Sequence, residues 1–342
     1  MDEIGLEYLS NSLNTSHVKL DLIFLKGLLV SASKSKSPHR NLEFAKLIGC
    51  PINKNKKSAT TIYGWMKGYK TIPLSKISKM VDSSNFSWKD MENNLILIKS
   101  GIRRGEVNPT FPIQIDEKLG SLVGHILGDG SIDKRFHSVF YSNANKDLLQ
   151  EFIEYIYTLF RIYPRIWVQK RKGFNEKSEW MKRVYDLNEV PEKHCVGLFC
   201  PKICCDILYA VCGKFAEGKN KKITKEIMIH NYNFKKGLLR AFFDDEGSVD
   251  SKNYTLRLYQ DNKELLEDIK KILLEFDIKS NPIRSYLKRN KSRHYFNVTG
   301  YNNYKKFFDI IGCTSKKKKR EFEILINKPS RLSTSSYSDS RT

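Results

Sequence analysis

A chain of 342 residues, 40% of them hydrophobic, is long enough for two or three domains with cores of their own. Its 60 Lys and Arg against 38 Asp and Glu leave a formal net charge of +22, which points to a polyanionic partner rather than to charge serving only solubility. No run of 18 apolar residues exists and the segment before the short apolar stretch at 20–32 is acidic, so no transmembrane helix or signal peptide is expected and the protein is read as cytoplasmic, with no membrane partner.

Residues 1–105 are expected to form a small all-α N-terminal domain. After the apolar stretch, the Ser- and Lys-rich residues 31–40 read as a loop. Leu42, Phe44, Ala45, Leu47 and Ile48 have helical spacing, and Gly49 ends that helix. A polar insertion at 53–58 separates it from a second helix, 60–67, whose Ile62 and Trp65 or Met66 turn inward. The pair resembles a helix-turn-helix of the phage-repressor type with a lengthened turn. That resemblance turns Thr60, Thr61, Tyr63 and Lys67 toward DNA. Pro109 and Pro112 mark residues 106–115 as a linker.

The sequence then repeats itself. Leu119, Leu122, Val123, Ile126 and Leu127 have helical spacing, and Gly128-Asp129-Gly130 ends the helix. Strands are expected at 138–142, 165–169 and 194–198, with a helix over 146–160. Seven cysteines, an odd number without paired C-x-x-C spacing, support neither a disulfide framework nor a zinc ribbon. Cys200, Cys204 and Cys205 interleave with Ile203, Ile207 and Leu208 and read as small buried hydrophobes.

A second helix over 234–243 runs into Asp245-Glu246-Gly247. A strand at 254–259, a helix at 263–276, strands at 283–288 and 293–299 and a helix near 303–311 follow. Asn143-Ala144-Asn145-Lys146-Asp147-Leu148-Leu149 matches Gln260-Asp261-Asn262-Lys263-Glu264-Leu265-Leu266 residue by residue, and Asp129 and Glu246 stand 117 positions apart. Each half therefore reads αββαββα, and duplicated units suggest that their acids meet across a pseudo-twofold axis. Residues 329–342 are Ser-rich, nearly free of apolar residues, and expected to be disordered.

Two acid-glycine helices, each opening the same order of elements, resemble the single-chain, two-motif LAGLIDADG homing endonucleases over residues 116–328. The resemblance implies an α+β fold, with halves 116–225 and 226–328 forming a saddle of antiparallel sheets. The motif helices would pack together through Gly124, Gly128 and Ala241. Asp129 and Glu246 would hold Mg²⁺ (or Mn²⁺), with the backbone carbonyls of Gly128 and Asp245 as further ligands. Hard divalent cations favour such oxygen donors. Asn143 and Gln260, at matching strand ends, would position water or metal as part of the catalytic set. Asp244, opposite apolar Leu127, reads as structural. Members of the family often carry a lysine near each acid. Lys134, Lys170, Lys252 and Lys288 are the candidates here, and the sequence does not choose among them.

Strand alternation puts Arg165, Trp167, Gln169 and Arg171 on one face of the first half. In the second half it aligns Arg257 and Tyr259, then Arg284, Tyr286 and Lys288, then Arg293, Tyr295 and Asn297. Such faces suit the major groove, where Arg reads guanine and Asn or Gln reads adenine. The reading is a sequence-specific, metal-dependent double-strand DNA endonuclease that acts as a monomer. The alternatives are a non-cleaving DNA-binding regulator and a maturase whose partner is intron RNA. Neither Met1 nor Arg341-Thr342 resembles a protein-splicing terminus, so an intron-encoded or free-standing gene is expected rather than an intein.

Overall fold

In a computed structural model, the structure describes residues 2–327 apart from 14, 54, 56–57, 101–104, 134–137, 171–178, 192–193, 219 and 289–290. The N-terminal third runs β1 (Glu3–Ile4), α1 (Leu6–Ser12), β2 (Ser16–Leu20), α2 (Leu22–Ser33), α3 (Leu42–Leu47), α4 (Thr60–Met66), β3 (Ile72–Pro73), α5 (Leu74–Asp82), α6 (Trp88–Asn93), β4 (Leu95–Ser100), β5 (Glu106–Val107) and β6 (Ile113–Gln114). This region is not all helical as expected, because a sheet of order β3-β2-β4-β5 runs through it. The strand β2 buries Ser16, Val18 and Leu20 in alternation, and its register partner β4 lies some eighty positions away (Ser16 opposite Ser100). A pairing that distant leaves little local signal. Nor is 106–115 a free linker. β5 joins that sheet and β6 pairs with β1, burying Val107, Ile113 and Ile115.

The first half comprises α7 (Glu117–Leu127), β7 (Gly130–Ile132), β8 (Val139–Asn143), α8 (Lys146–Phe160), β9 (Arg165–Lys170), β10 (Glu179–Val184), β11 (Cys195–Cys200) and α9 (Lys202–Cys212), then a short connection of β12 (Ala216–Glu217), β13 (Asn220–Lys221) and α10 (Lys225–Met228). The second half comprises α11 (Tyr232–Glu246), β14 (Gly247–Asp250), β15 (Thr255–Gln260), α12 (Lys263–Glu275), β16 (Arg284–Lys288), β17 (Lys291–Thr299), α13 (Tyr301–Lys306, continuing as a π-helical turn through Ile311) and α14 (Lys316–Asn327). The antiparallel sheets are β10-β9-β11-β8-β7 and β14-β15-β17-β16. They superpose in order once β10 is set aside. That extra edge strand makes the first half αββαβββα rather than αββαββα.

Local chemistry explains the shared frame. Asn145 caps α8 and Asn262 caps α12, each side-chain oxygen accepting a backbone N–H of the first turn. Asp116 and Asn231 cap the two motif helices in the same way. On each sheet one face is apolar, with Val196 and Leu198 in the first half and Leu256, Leu258, Phe296 and Val298 in the second all buried. The N-terminal region docks onto the first half where Ser100, at the end of β4, bonds Asp206 on α9, a carboxylate that Lys202 on the same helix also bonds.

The motif helices α7 and α11 form the seam between the halves. A Cβ on Gly120 would lie 1.9 Å from the Phe234 carbonyl oxygen, and one on Gly237 would lie 2.0 Å from that of Glu117. Adding 117 to 120 and 117 gives 237 and 234, so the two contacts are images across the pseudo-twofold axis. Gly124, expected at the seam, meets the Leu238 carbonyl and Ala241, while Gly128 faces the Asp245 side chain. The tightest approach is therefore one turn earlier than the sequence reading placed it.

Candidate metal and DNA site

The acid-glycine turn follows from sterics. The chain leaving each motif helix folds back on it so closely that a Cβ at Gly130 or Gly247 would lie 2.5 Å from helix backbone, at the Ile126 Cα or the Phe243 carbonyl oxygen respectively. Only glycine fits, and the preceding acid is held at the helix end. Asp129 opens to solvent on one side and is enclosed by protein on the others. Glu246 is half-buried. Burial, followed by the charges of Asp245 and Glu246, pushes the Asp129 carboxyl up to about 8. Burial and Asp245 also raise Glu246. Lys221 and Lys318 pull Asp129 the other way, and Lys221 does so for Glu246, without cancelling the rise.

Each acid is held by the amide expected from the sequence. Asn143 Nδ2 donates to Asp129 Oδ2 at 3.0 Å, and Gln260 Nε2 donates to Glu246 Oε1 at 3.0 Å. Two lysines that the sequence reading did not place at the acids then enter. On β13, Lys221 Nζ donates to the Gly128 carbonyl, and Glu246, Asp129 and Asp245 all act on its charge. On α14, Lys318 Nζ donates to the carbonyls of Phe243 at 2.7 Å and Asp244 at 2.5 Å. Burial lowers the pKa of both ammonium groups against the pull of the nearby carboxylates. Each half thus contributes an acid, an amide and, from the segment after its sheet, a lysine.

Of the lysines considered from sequence, Lys252 lies in the β14–β15 turn, its backbone N–H on Asp250. Lys134 lies outside the described residues, as do the side chains of Lys170 and Lys288. Asp244 accepts backbone N–H groups from Thr314 at 2.6 Å and Ser315 at 3.1 Å, which anchors the start of α14 and so sets where Lys318 falls.

Asp245 was expected to offer only its carbonyl. Its side chain is fully buried and turns into the first half, where Tyr141 OH donates to it at 2.8 Å and His125 Nδ1 meets it at 3.0 Å. Burial alone would drive the His125 imidazolium down. The charges of Asp245 and Glu151 and their hydrogen bonds outweigh it and hold it up to about 10. Beyond it, Glu151 accepts from Arg240 of the opposite motif helix at 3.0 Å.

The donor set tests the expected metal. Among the described residues, no three His, Cys, Asp or Glu side chains form a metal cage by themselves. Two carboxylates, each held by an amide through one oxygen, and helix-end carbonyls are hard oxygen donors that suit Mg²⁺ or Mn²⁺ once water or a phosphate completes the shell. The Asp245 carboxylate, bonded to His125, Tyr141 and Asn143, is not free to join them.

The residues expected to read DNA gather on one sheet face in the second half. Register sets Arg257 opposite Asn297, Tyr259 opposite Tyr295, and Tyr286 opposite Arg293. Arg257 is braced, its Nε donating to Asn297 Oδ1 at 2.9 Å and its guanidinium lying 4.9 Å from the Tyr295 ring centre. Arg284, across from Tyr295 in register, is exposed. Leu287, which alternates with Tyr286 along the edge strand β16, is 79% exposed. In the first half, Arg165, Trp167 and Gln169 lie on one face of β9, with Arg165 exposed and the other two half-buried. Arg171 lies outside the described residues. On α4, Ile62 and Trp65 are buried while Thr60, Tyr63 and Lys67 are exposed and Thr61 is half-exposed. No helix among the described residues is long and apolar enough to cross a membrane.

Residues 233–312 match the family model of a LAGLIDADG-like domain. The chain is 26% identical over 217 residues to the DNA-directed RNA polymerase subunit Rpo1C of Methanocaldococcus jannaschii, an alignment covering 63% of this chain and 22% of that protein. It therefore spans about a fifth of the length of that relative, and 10% of a replication factor C small subunit from the same organism. Among solved structures, it is similar to the homing endonuclease I-WcaI bound to its DNA recognition sequence, at 17% identity and a TM-score of 0.41, covering 60% of this chain and 87% of that one. It is also similar to full-length DUF199/WhiA from Thermatoga maritima, at 16% identity and a TM-score of 0.38, covering 62% and 60%.

Proposed function

We propose, from the premise that this chain belongs to the LAGLIDADG family, that it is a sequence-specific double-strand DNA endonuclease working with a divalent metal. One observation carries the reading. Two half-sites, each with a carboxylate, an amide and a lysine (Asp129, Asn143, Lys221; Glu246, Gln260, Lys318), meet beside the seam of two antiparallel sheets. A protein that only binds DNA, itself a polyanion, has no use for acids crowded together at its seam.

Asp129 and Glu246 would hold the metal, Mg²⁺ or Mn²⁺, with the Gly128 and Asp245 carbonyls as additional donors. When bound, the metal supplies charge neutralisation at the leaving oxygen and lowers the pKa of water. The protein's own groups do the rest. Asn143 and Gln260 fix the orientation of the two carboxylates. Lys221 and Lys318, their pKa lowered by burial, are suited to take up or release a proton near the scissile phosphate and to offset its charge. The Arg- and Tyr-lined sheet faces would bind the major groove, and α4 would add contacts from the N-terminal region. Because one chain carries both half-sites, the enzyme would act as a monomer on a target that need not be palindromic.

Selection of cut sites from a randomised duplex library in Mg²⁺ tests this directly. Cleavage lost in Asp129→Asn and Glu246→Gln, with binding retained, is the expected result. Tight binding of the wild type without any cut product would instead favour a non-cleaving regulator, and stimulated splicing of an intron RNA would favour a maturase.

A further inference from the structure

The two half-sites are images in their catalytic groups but not in what lies beneath them. Asn143 Nδ2 lies within hydrogen-bond distance of Asp129 Oδ2 (3.0 Å), Asp245 Oδ1 (3.1 Å) and the Tyr141 hydroxyl (3.2 Å). Tyr141 is wholly buried and stacked on Phe152, with ring centres 4.6 Å apart. From Asp245 the chain of bonds continues to His125 and on to Glu151 Oε2 at 3.1 Å, and Glu151 Oε1 accepts from Tyr155, Thr314 and Arg240. At the matching positions of the second half, 117 residues on, stand Phe242 for His125 and Leu258 for Tyr141, both fully buried. The image of Asp245 is Gly128 of the first half, and among the described residues Gln260 bonds only Glu246 Oε1 and the Asp261 N–H.

Building on the nuclease reading above, we propose that Tyr141, His125 and Glu151 are positioning residues that fix Asn143, and through it Asp129, so that the two DNA strands are cut by non-equivalent half-sites. A bonded chain with its partners on both motif helices leaves Asn143 one orientation. Gln260, above an apolar floor, has among the described residues only its carboxylate partner and the adjacent backbone to orient it. The packing at the seam is thereby coupled to one acid and not to the other.

The test has two arms. In the full-length protein with its Asn and Gln side-chain amides labelled with ¹⁵N, hydrogen exchange at Asn143 Nδ2 should speed up by about tenfold in Tyr141→Phe, as expected for loss of one hydrogen bond, while Gln260 is unchanged. Unchanged exchange at Asn143 would overturn the proposal whether or not the protein cuts DNA. On a supercoiled plasmid carrying a selected target, Tyr141→Phe should slow one strand by about tenfold and leave the other within about twofold, so that circles nicked in one strand accumulate. Equal slowing of both strands would also overturn it, since a merely destabilised protein loses both cuts together. If Tyr141→Phe fails to fold, Glu151→Gln, which keeps the shape and removes the charge, is read in the same two arms. A wild type that leaves all DNA intact would reject the nuclease reading, while the exchange arm still decides the positioning.

Discussion

Replacing Gly120 with alanine would probe the seam on which both half-sites depend. The added Cβ would sit 1.9 Å from the Phe234 carbonyl oxygen, backbone against backbone, so no rotamer change relieves it. Restoring an ordinary C···O contact of about 3.3 Å requires the helices to part by more than about 1 Å. A gap of about 0.5–1 Å already forfeits a quarter to a half of the dispersion attraction of the atoms lining it. Overpacked cores lose about 1–3 kcal/mol, and a clash that no side chain can absorb belongs at the upper end, about 3 kcal/mol. Gly237→Ala makes the image contact at 2.0 Å and should match it within about 1 kcal/mol. The double variant should lose little more than either single one, because one separation of the helices relieves both clashes. Urea denaturation of the full chain, read as a shift in midpoint at constant slope, measures all three. A loss under about 0.5 kcal/mol for either single variant, or a fully additive double, would refute the reasoning.

Lys221→Met and Lys318→Met should each reduce cleavage by about a hundredfold or more while the protein still binds its target, as judged by single-turnover rates beside a gel-shift titration. Asp129 titrates with a raised pKa in the folded chain, so its contribution to metal-free stability is complete below its unfolded pKa and is lost as pH rises through about 8. Asp129→Asn should therefore stabilise the metal-free protein at pH 8.5 and change it little near pH 4, and an equal effect at both would reject the crowding of acids. For the same reason Mn²⁺ affinity, measured by calorimetry, should strengthen from pH 6 to pH 8.5 as that proton becomes easier to displace. Arg257→Ala should cost about 1–3 kcal/mol of discrimination at one position of the site, visible as relaxed preference there in a binding selection.

Sequence carried the frame of the fold because its signals are local. A run rich in Leu, Ile and Phe set the helix at 146–160 with the bounds found in the structure, and the 117-residue repeat paired Asp129 with Glu246 and Asn143 with Gln260. What escaped it is made by return of the chain. Lys221 and Lys318 reach the acids from segments 92 and 72 positions later. Lys318 stands in the basic run 316–320, which from sequence reads as phosphate contact or a solvated patch, and Lys221 is one of 60 Lys and Arg. The inward turn of Asp245 was equally hidden, because its partners His125 and Tyr141 lie in the other half. A histidine inside an otherwise apolar helix face was the available signal. In the N-terminal region, β2 and β4 are short strands whose partners are remote, which is where helical spacing and strand alternation are hardest to tell apart.

The strand β1 carries a kinetic consequence. Its partner is β6, and just ahead of it Asp2 accepts from Asn231, the cap of α11, at 2.8 Å across 229 positions. At about 5–20 residues per second of synthesis, roughly ten to fifty seconds separate the emergence of those two residues from the ribosome. The strand gains its edge once β6 has emerged, about halfway through that interval, while the bond from Asn231 comes only at its end. The start of the chain is thus secured in two steps, and chaperone demand should fall on it before the first rather than on the acidic turns.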